Sequence, residues 1–291
     1  MYQIIQKYKI FLGLSLFFCL LSLLSLIFWG LRPGTDFTGG VLLEVEYQEK
    51  RPEIKELKEK LKNFNLEFQP SGKNGLILRT KEMEEKTHEE ILKALGNVKE
   101  KRFEKIGPVI GKELTKKSRL AVFFALSGIL IYLAFAFRKI SKIIKPGESW
   151  RYSLGAILAL VHDVLIMSGF FSVMGHFQGV EVDTLFIIAI LTVLGYSVND
   201  TIIVYDRIRE NILTTKLKDF KEILNLSLNE TLMRTLNTSL TTLLAILVIY
   251  LFGGEAIKNF ALALMVGIIS GTYSSISIAV PFLLFKREKT I

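Results

Sequence analysis

The chain has 291 residues, 50% of them hydrophobic, and a formal net charge of +9. Its apolar residues are gathered into long blocks, which excludes an ordinary soluble domain and indicates a polytopic α-helical membrane protein. Much of the basic excess sits beside the ends of those blocks, where positive-inside bias accounts for it, so nucleic acid is not indicated as a partner; the single cysteine, Cys19, leaves no intramolecular disulfide.

The first block, about Ile10 to Trp29, follows Lys7 and Lys9 as a secretory signal would. It is longer than a typical signal core, and Trp29-Gly30-Leu31-Arg32 offers no small-x-small cleavage site. Residues 1–33 are therefore expected to form a cytoplasmic N-terminus and a retained first transmembrane helix. Residues 34–117 are polar and long enough to fold alone, as an extracytoplasmic (periplasmic) domain. Val41 to Tyr47 is strand-like, and Pro52 to Asn63 is apolar at helical spacing. Leu66 to Phe68 and Leu76 to Leu78 bracket a Pro-Ser-Gly-Lys-Asn-Gly turn, and a helix from about Glu84 to Leu95 precedes a strand from Val98 to Ile106. That β-α-β-β-α-β order predicts an α+β ferredoxin-like domain.

Residues 118–291 contain five further apolar blocks, at roughly 119–137, 152–175, 183–205, 235–252 and 258–285, giving six expected spans, the last long enough to tilt or kink. Between the fourth and fifth, within the cytoplasmic segment 206–233, Phe220, Ile223, Leu224, Leu228 and Leu232 recur at helical spacing among Lys218, Lys221, Glu222 and Glu230. The pattern predicts an amphipathic helix on the inner leaflet, acting as a hinge between spans. Lys7 and Lys9, the set Arg138, Lys139, Lys142, Lys145 and Arg151, the stretch Arg207 to Arg234, and Lys286, Arg287 and Lys289 fall on one side, so both termini are expected to be cytoplasmic. No internal repeat is visible; any pseudo-symmetry would come from a second chain.

Asp200 lies inside the fourth span, where a carboxylate near mid-membrane costs about 2.5–3.5 kcal/mol and usually faces a partner, a cavity or a functional path. At helical spacing Thr192, Tyr196, Asn199 and Asp200 share a stripe. Arg234, Thr238, Thr241 and Thr242 form a similar face on the fifth span. Arg234 either snorkels to the inner surface or reaches inward to pair with an ionised Asp200, releasing it on protonation. Gly267 and Gly271 fit a GxxxG packing pattern beside Ser270, Ser274 and Ser277. In the third span His162 and Asp163 point about 100° apart on a helix, so no dyad between them is expected. Asp163 is read as a second proton acceptor or as a hydrogen-bonded anchor of the bundle, and His162 as a packing residue or a relay. Two intramembrane aspartates could also make a protease pair, but Val198-Asn199-Asp200 lacks the GxGD pattern expected of intramembrane aspartyl proteases, and no enzymatic activity, metal or cofactor is expected.

The motifs carry a family resemblance. Gly34-Thr-Asp-Phe-Thr-Gly-Gly40 follows the first span, Ile106-Gly-Pro-Val-Ile-Gly-Lys-Glu-Leu114 precedes the second, Val161-His-Asp163 lies in the third, and Ser197-Val-Asn-Asp-Thr201 leads into Asp206-Arg-Ile-Arg-Glu-Asn211. Together they resemble the SecD/SecF family, over essentially the whole chain. The short outer domain and the Asn-Asp-Thr form of the fourth-span motif place the resemblance on the SecF side, since SecD shares GxDFTGG. The resemblance implies half of a resistance-nodulation-division-like (RND) membrane fold in the bacterial cytoplasmic (inner) membrane. It also implies a non-enzymatic role in export: with a separately encoded SecD, at the SecYEG channel, using the proton-motive force to draw unfolded preproteins outward after SecA has begun translocation. Asp200 would be the proton-carrying carboxylate and Arg234 its basic partner, with Asn199, Tyr196, Asp163 and Thr238 as supporting polar residues. Gly34, Asp36, Phe37, Gly39 and Gly40 would form the family motif at the domain junction, where Gly39 and Gly40 permit backbone shapes or close approaches that side chains forbid. An RND-type exporter of small molecules or lipids and a purely structural translocon scaffold are the alternatives.

Overall fold

The computed structural model describes residues 2–137, 149–217 and 219–284. The expected basic loop from Arg138 to Lys145, Lys218, and Lys286, Arg287 and Lys289 lie outside the described residues. The chain divides into two compact units, one formed by Met1–Leu31, Ala121–Val180 and Leu185–Ile291, the other by Arg32–Leu120 together with Glu181–Thr184.

In the smaller unit, alternation of apolar and polar residues dictates the first strand. Along β1 (Gly40–Tyr47), Val41, Leu43, Val45 and Tyr47 turn to one face and are buried there. The helices α3 (Ile54–Lys60) and α4 (Glu85–Leu95) bring Leu57, Ile91 and Leu95 onto that face, and Leu61, Leu76 and Leu78 complete the core. The remaining strands are β2 (Glu67–Ser71), β3 (Gly75–Thr80) and β4 (Val98–Ile106), and the order across the sheet is β2-β3-β1-β4 with every neighbouring pair antiparallel. The opposite face carries Glu44, Arg79, Arg102 and Glu104, and on it Ser71 donates to Glu44 and Arg102 to Glu104. A short helix, α2 (Thr35–Thr38), precedes β1.

In the larger unit the long helices are α1 (Tyr8–Phe28), α6 (Ser149–Gln178), α7 (Thr184–Thr214), α8 (Phe220–Phe252) and α9 (Glu255–Ser274). The segment after α9 passes through a π-helical turn, Ser275–Ala279, into α10 (Val280–Phe282), which supplies the irregularity expected of so long a final block. Among the described residues five helical stretches are long and apolar enough to cross a membrane: Ile5–Phe28, Trp150–Gln178, Thr184–Thr214, Phe220–Phe252 and Ala256–Phe282. The helix α5 (Pro108–Phe137), which contains the expected second span, is not among the five.

Small residues set how closely these helices pack. A methyl group added at Gly267 of α9 would run into the side chain of Val193 on α7, and one at Gly271 would come within 2.9 Å of Ser197 Cβ. Between α1 and α6, Ser25 donates to the Gly169 carbonyl (3.1 Å) and Ser172 to the Ser25 carbonyl (2.8 Å).

One expectation is corrected. The amphipathic stretch after the fourth span is not a separate helix on the inner leaflet, because it is the first part of α8, a single helix of 33 residues. No proline or glycine interrupts Phe220–Phe252, and Asp219 caps its start by accepting from the Lys221 N–H. Phe220, Ile223, Leu224 and Leu228 are buried against protein, with exposures of 2% or less.

Candidate functional site

Asp200 is fully buried on α7. One of its oxygens, Oδ2, accepts a long hydrogen bond from Thr272 Oγ1 of α9 (3.4 Å), and the other, Oδ1, has no partner. Thr272 Oγ1 lies 2.6 Å from Ser239 Oγ of α8, and Tyr196 OH donates to Ser239 Oγ at 3.4 Å. A line of hydroxyls therefore runs from half-buried Tyr196 through Ser239 and Thr272 to the carboxyl, crossing three helices. A buried polar atom left without a partner is uncommon and asks for a physical reason. Little compensates for the desolvation of a charged carboxylate here, and the adjacent hydroxyls can each accept and donate a proton.

The structure does not bring the other predicted residues to this carboxyl. Arg234 lies on the exposed side of α8 and makes no ion pair among the described residues, so Asp200 and Arg234 are unpaired in this arrangement. Thr238 is also exposed and returns its hydroxyl to the Arg234 carbonyl at 2.7 Å. Asn199 and Thr192 face outward on α7, so the predicted stripe divides, with Asp200 turned into the bundle. Ser239 and Thr272 were missed as neighbours of Asp200. Only their hydroxyls within apolar runs could have signalled them.

Asp163, on α6, has the opposite surroundings. Its Oδ2 accepts from Ser197 (2.6 Å) and Ser274 (2.9 Å), and its Oδ1 accepts from Ser270 (2.9 Å), so α7 and α9 are both tied to α6 through one carboxylate. His162 Nδ1 also reaches Asp163 Oδ1 at 3.0 Å. The expectation is that the two form no catalytic dyad, and the structure places them within hydrogen-bond distance. The helical angle fixes where the Cβ atoms point, whereas the side-chain torsions swing the imidazole back toward its neighbour. His162 Nδ1 lies 3.4 Å from Ser270 Oγ as well, and both residues are buried.

In the smaller unit, the motif Gly34 to Gly40 makes a tight corner. Gly39 (φ +72°) and Gly40 (φ +128°) occupy backbone conformations that L side chains resist, and a Cβ on them would lie 2.9 Å from Pro108 Cα and 2.8 Å from the Thr80 carbonyl oxygen. Half-buried Phe37 sits inside that corner, and its carbonyl would lie 3.0 Å from a Cβ on Gly111. Gly34 donates to the Val182 carbonyl (2.8 Å), Val182 donates to the Arg32 carbonyl (2.9 Å), and Asp36 Oδ2 accepts the Thr184 N–H (2.9 Å). Glu181 pairs with Arg79 Nε (3.1 Å) and Arg32 Nε (3.4 Å). Burial pushes the Glu181 carboxyl above the ordinary range despite the two guanidiniums, and burial lowers Arg79.

Comparison with known proteins agrees with these motifs. Residues 87–289 match the family described as "Protein export membrane protein SecD/SecF, C-terminal", and residues 25–50 match "SecD/SecF GG Motif". The chain is 41% identical to the protein translocase subunit SecF of Thermobaculum terrenum, over 95% of this chain and 91% of that one. To the SecF of Pseudomonas aeruginosa it is 38% identical, over 89% and 84% respectively. The protein translocase subunit SecDF of Brucella abortus is 36% identical over 94% of this chain, which spans only 35% of its length. The crystal structure of SecDF, a translocon-associated membrane protein from Thermus, matches with a TM-score of 0.84 at 30% identity, covering 98% of this chain and 39% of that longer one. With a family match over most of its length and relatives of similar size, the chain belongs to the SecD/SecF family of protein-export membrane proteins, whose SecF members are protein translocase subunits.

Proposed function

We propose that this chain works with SecD in the bacterial cytoplasmic membrane, coupling proton movement through Asp200 to preprotein export at the SecYEG channel after SecA has initiated it. The observation that carries the reading is the buried Asp200, with one oxygen unpartnered and the other at the end of a hydroxyl line. In the protonated state the carboxyl rests against Thr272. On losing its proton it becomes a buried charge that needs a cation, and Arg234 supplies it in a second arrangement of α7 and α8. Membrane potential contributes about 2.3 kcal/mol per charge per 100 mV, enough to shift such an equilibrium.

A SecD partner is supported by two observations. Arg234, Asn237, Thr238 and Thr241 are exposed along α8 in the isolated chain, and a second protein surface over this polar stripe would keep it from lipid. The SecDF relatives are longer chains of which this one spans about two fifths or less. We read the membrane part as six spans forming an RND-like half. The outer domain, about residues 34–117, is ferredoxin-like on the strength of its β-α-β-β-α-β order and β2-β3-β1-β4 sheet. Both termini are cytoplasmic in this reading, which includes no enzymatic step.

The test is preprotein translocation into membrane vesicles with and without a proton gradient, at matched protein levels. Asp200→Asn keeps the size of the side chain and removes the charge. It is expected to retain SecD association and to lose the gradient-dependent part of export. Equal gradient dependence in wild type and variant would leave Asp200 a packing residue and favour the scaffold reading.

A further inference from the structure

We propose that Asp36 is a positioning residue that fastens the outer end of the Asp200 helix to the outer unit, which makes the Gly34–Gly40 motif an anchor for α7. The inference rests on the proton-coupling role of Asp200 given above. Thr184 is the first residue of α7, and Asp200 follows it sixteen residues later, about 24 Å along the helix at 1.5 Å per residue. The first N–H groups of a helix lack partners within it, and a carboxylate there satisfies one while meeting the positive end of the helix dipole. Asp36 does this from the outer unit, at 2.9 Å.

Four further contacts make the attachment more than a cap. Gly34, Val182 and Arg32 exchange backbone hydrogen bonds, so Pro33 and Val182 form a short parallel bridge. Glu181 is gripped by Arg79 near the end of β3 and by Arg32, which ties residues 181–184 to the sheet as well as to the motif. Gly34 leaves room for this approach, since a Cβ there would lie 3.2 Å from the Val182 carbonyl oxygen. Gly39 and Gly40, locked in their corner, fix the short helix that presents Asp36. Residues 181–184, which belong with Asp36 to one compact unit, therefore run directly into the helix that carries Asp200, and the anchor acts on the start of that helix.

The experiment uses the full chain with SecD and compares Asp36→Ala, Asp36→Asn, Thr184→Pro and Asp200→Asn. Proline is tolerated at the first helical position, so Thr184→Pro deletes the donated N–H and leaves the helix start otherwise intact. Two quantities are read: hydrogen exchange of backbone amides in the first two turns of α7, and gradient-dependent export. Asp36→Ala and Thr184→Pro are each expected to shift the fastened-to-released ratio about fivefold, equivalent to about 1 kcal/mol, with faster exchange and a corresponding fall in gradient-dependent export. The two changes combined should do no more than either alone, because they remove the same bond. Asn caps a helix as well as Asp, so Asp36→Asn should restore both quantities. Wild-type export in Asp36→Ala and Thr184→Pro, beside a loss in Asp200→Asn, would overturn the anchor and leave the coupling role standing. Unchanged exchange in those two variants would overturn the contact itself, whatever Asp200→Asn does.

Discussion

At the scale of the residue, two buried carboxylates of the same type stand in opposite surroundings. Three serine hydroxyls and the His162 ring converge on Asp163, whereas Asp200 has one long hydrogen bond and a bare oxygen. The first arrangement suits a carboxylate that stays put and accepts from every side, and the second suits a group that changes its proton. Asp163→Ala is expected to destabilise the bundle by about 3–5 kcal/mol, because it leaves several buried donors without an acceptor. Ser197→Ala should cost only about 1–2 kcal/mol, since Asp163 keeps its other donors. Denaturant titration of the purified chain in detergent measures both, and equal, small losses would show that the cluster does not hold the helices together. The sequence made the carboxylates legible through their cost in a membrane. It did not make the difference between them legible, because Ser197, Ser270 and Ser274 meet Asp163 only through the rotation of α7 and α9 about their axes, which helical spacing within one span leaves open.

At the scale of the element, close packing of α7 against α9 depends on Gly267, whose place cannot take a side chain without displacing Val193. Gly267→Leu is therefore expected to lower stability by about 1–3 kcal/mol, the usual cost of overfilling a packed interior. Gly195 offers an internal control on the same interface helix. No atom lies within 4 Å of a Cβ added there, and its φ is not positive, so Gly195→Ala should be neutral or stabilise by up to about 1 kcal/mol. Thermal unfolding in detergent distinguishes the two, and a destabilising Gly195→Ala would contradict the packing described. Element boundaries in the outer unit were legible within a few residues because strand alternation and turn residues are local signals. The boundary inside α8 was misread for a different reason. Amphipathic periodicity reports that one face of Phe220 to Leu232 is apolar, and that face meets protein instead of lipid, a distinction that periodicity does not carry.

At the scale of the whole molecule, the proposed six spans can be set beside the contacts between two distant segments. Arg32–Leu120 and Glu181–Thr184 belong to one compact unit, so both lie on the same side of the bilayer in any membrane arrangement that keeps that unit together. The chain leaves the unit at Leu120 and returns to it at Glu181, so the proposed topology calls for an even number of crossings between them. Trp150–Gln178 is a candidate for one, and in the six-span reading the apolar second half of Pro108–Phe137 is taken as the other. The six-span reading therefore rests on the contacts within that unit together with the apolar character of these helices. In the proposed topology the unit is expected on the outer side, because the basic residues between Arg207 and Arg234 favour the inner one. With Cys19 first replaced by serine, a cysteine at Lys73 is expected to react with a membrane-impermeant maleimide in intact cells, and one at Lys216 only after the membrane is opened. A cysteine at Glu181 provides the discriminating case. Six spans require it to share the outer side with Lys73, so its labelling, shielded by Arg79 and Arg32 but restored on denaturation without permeabilising the inner membrane, would agree with the count. Labelling of Glu181→Cys and Lys73→Cys from opposite sides would mean that Pro108–Phe137 does not cross, and that the unit joining the two segments does not exist in the membrane.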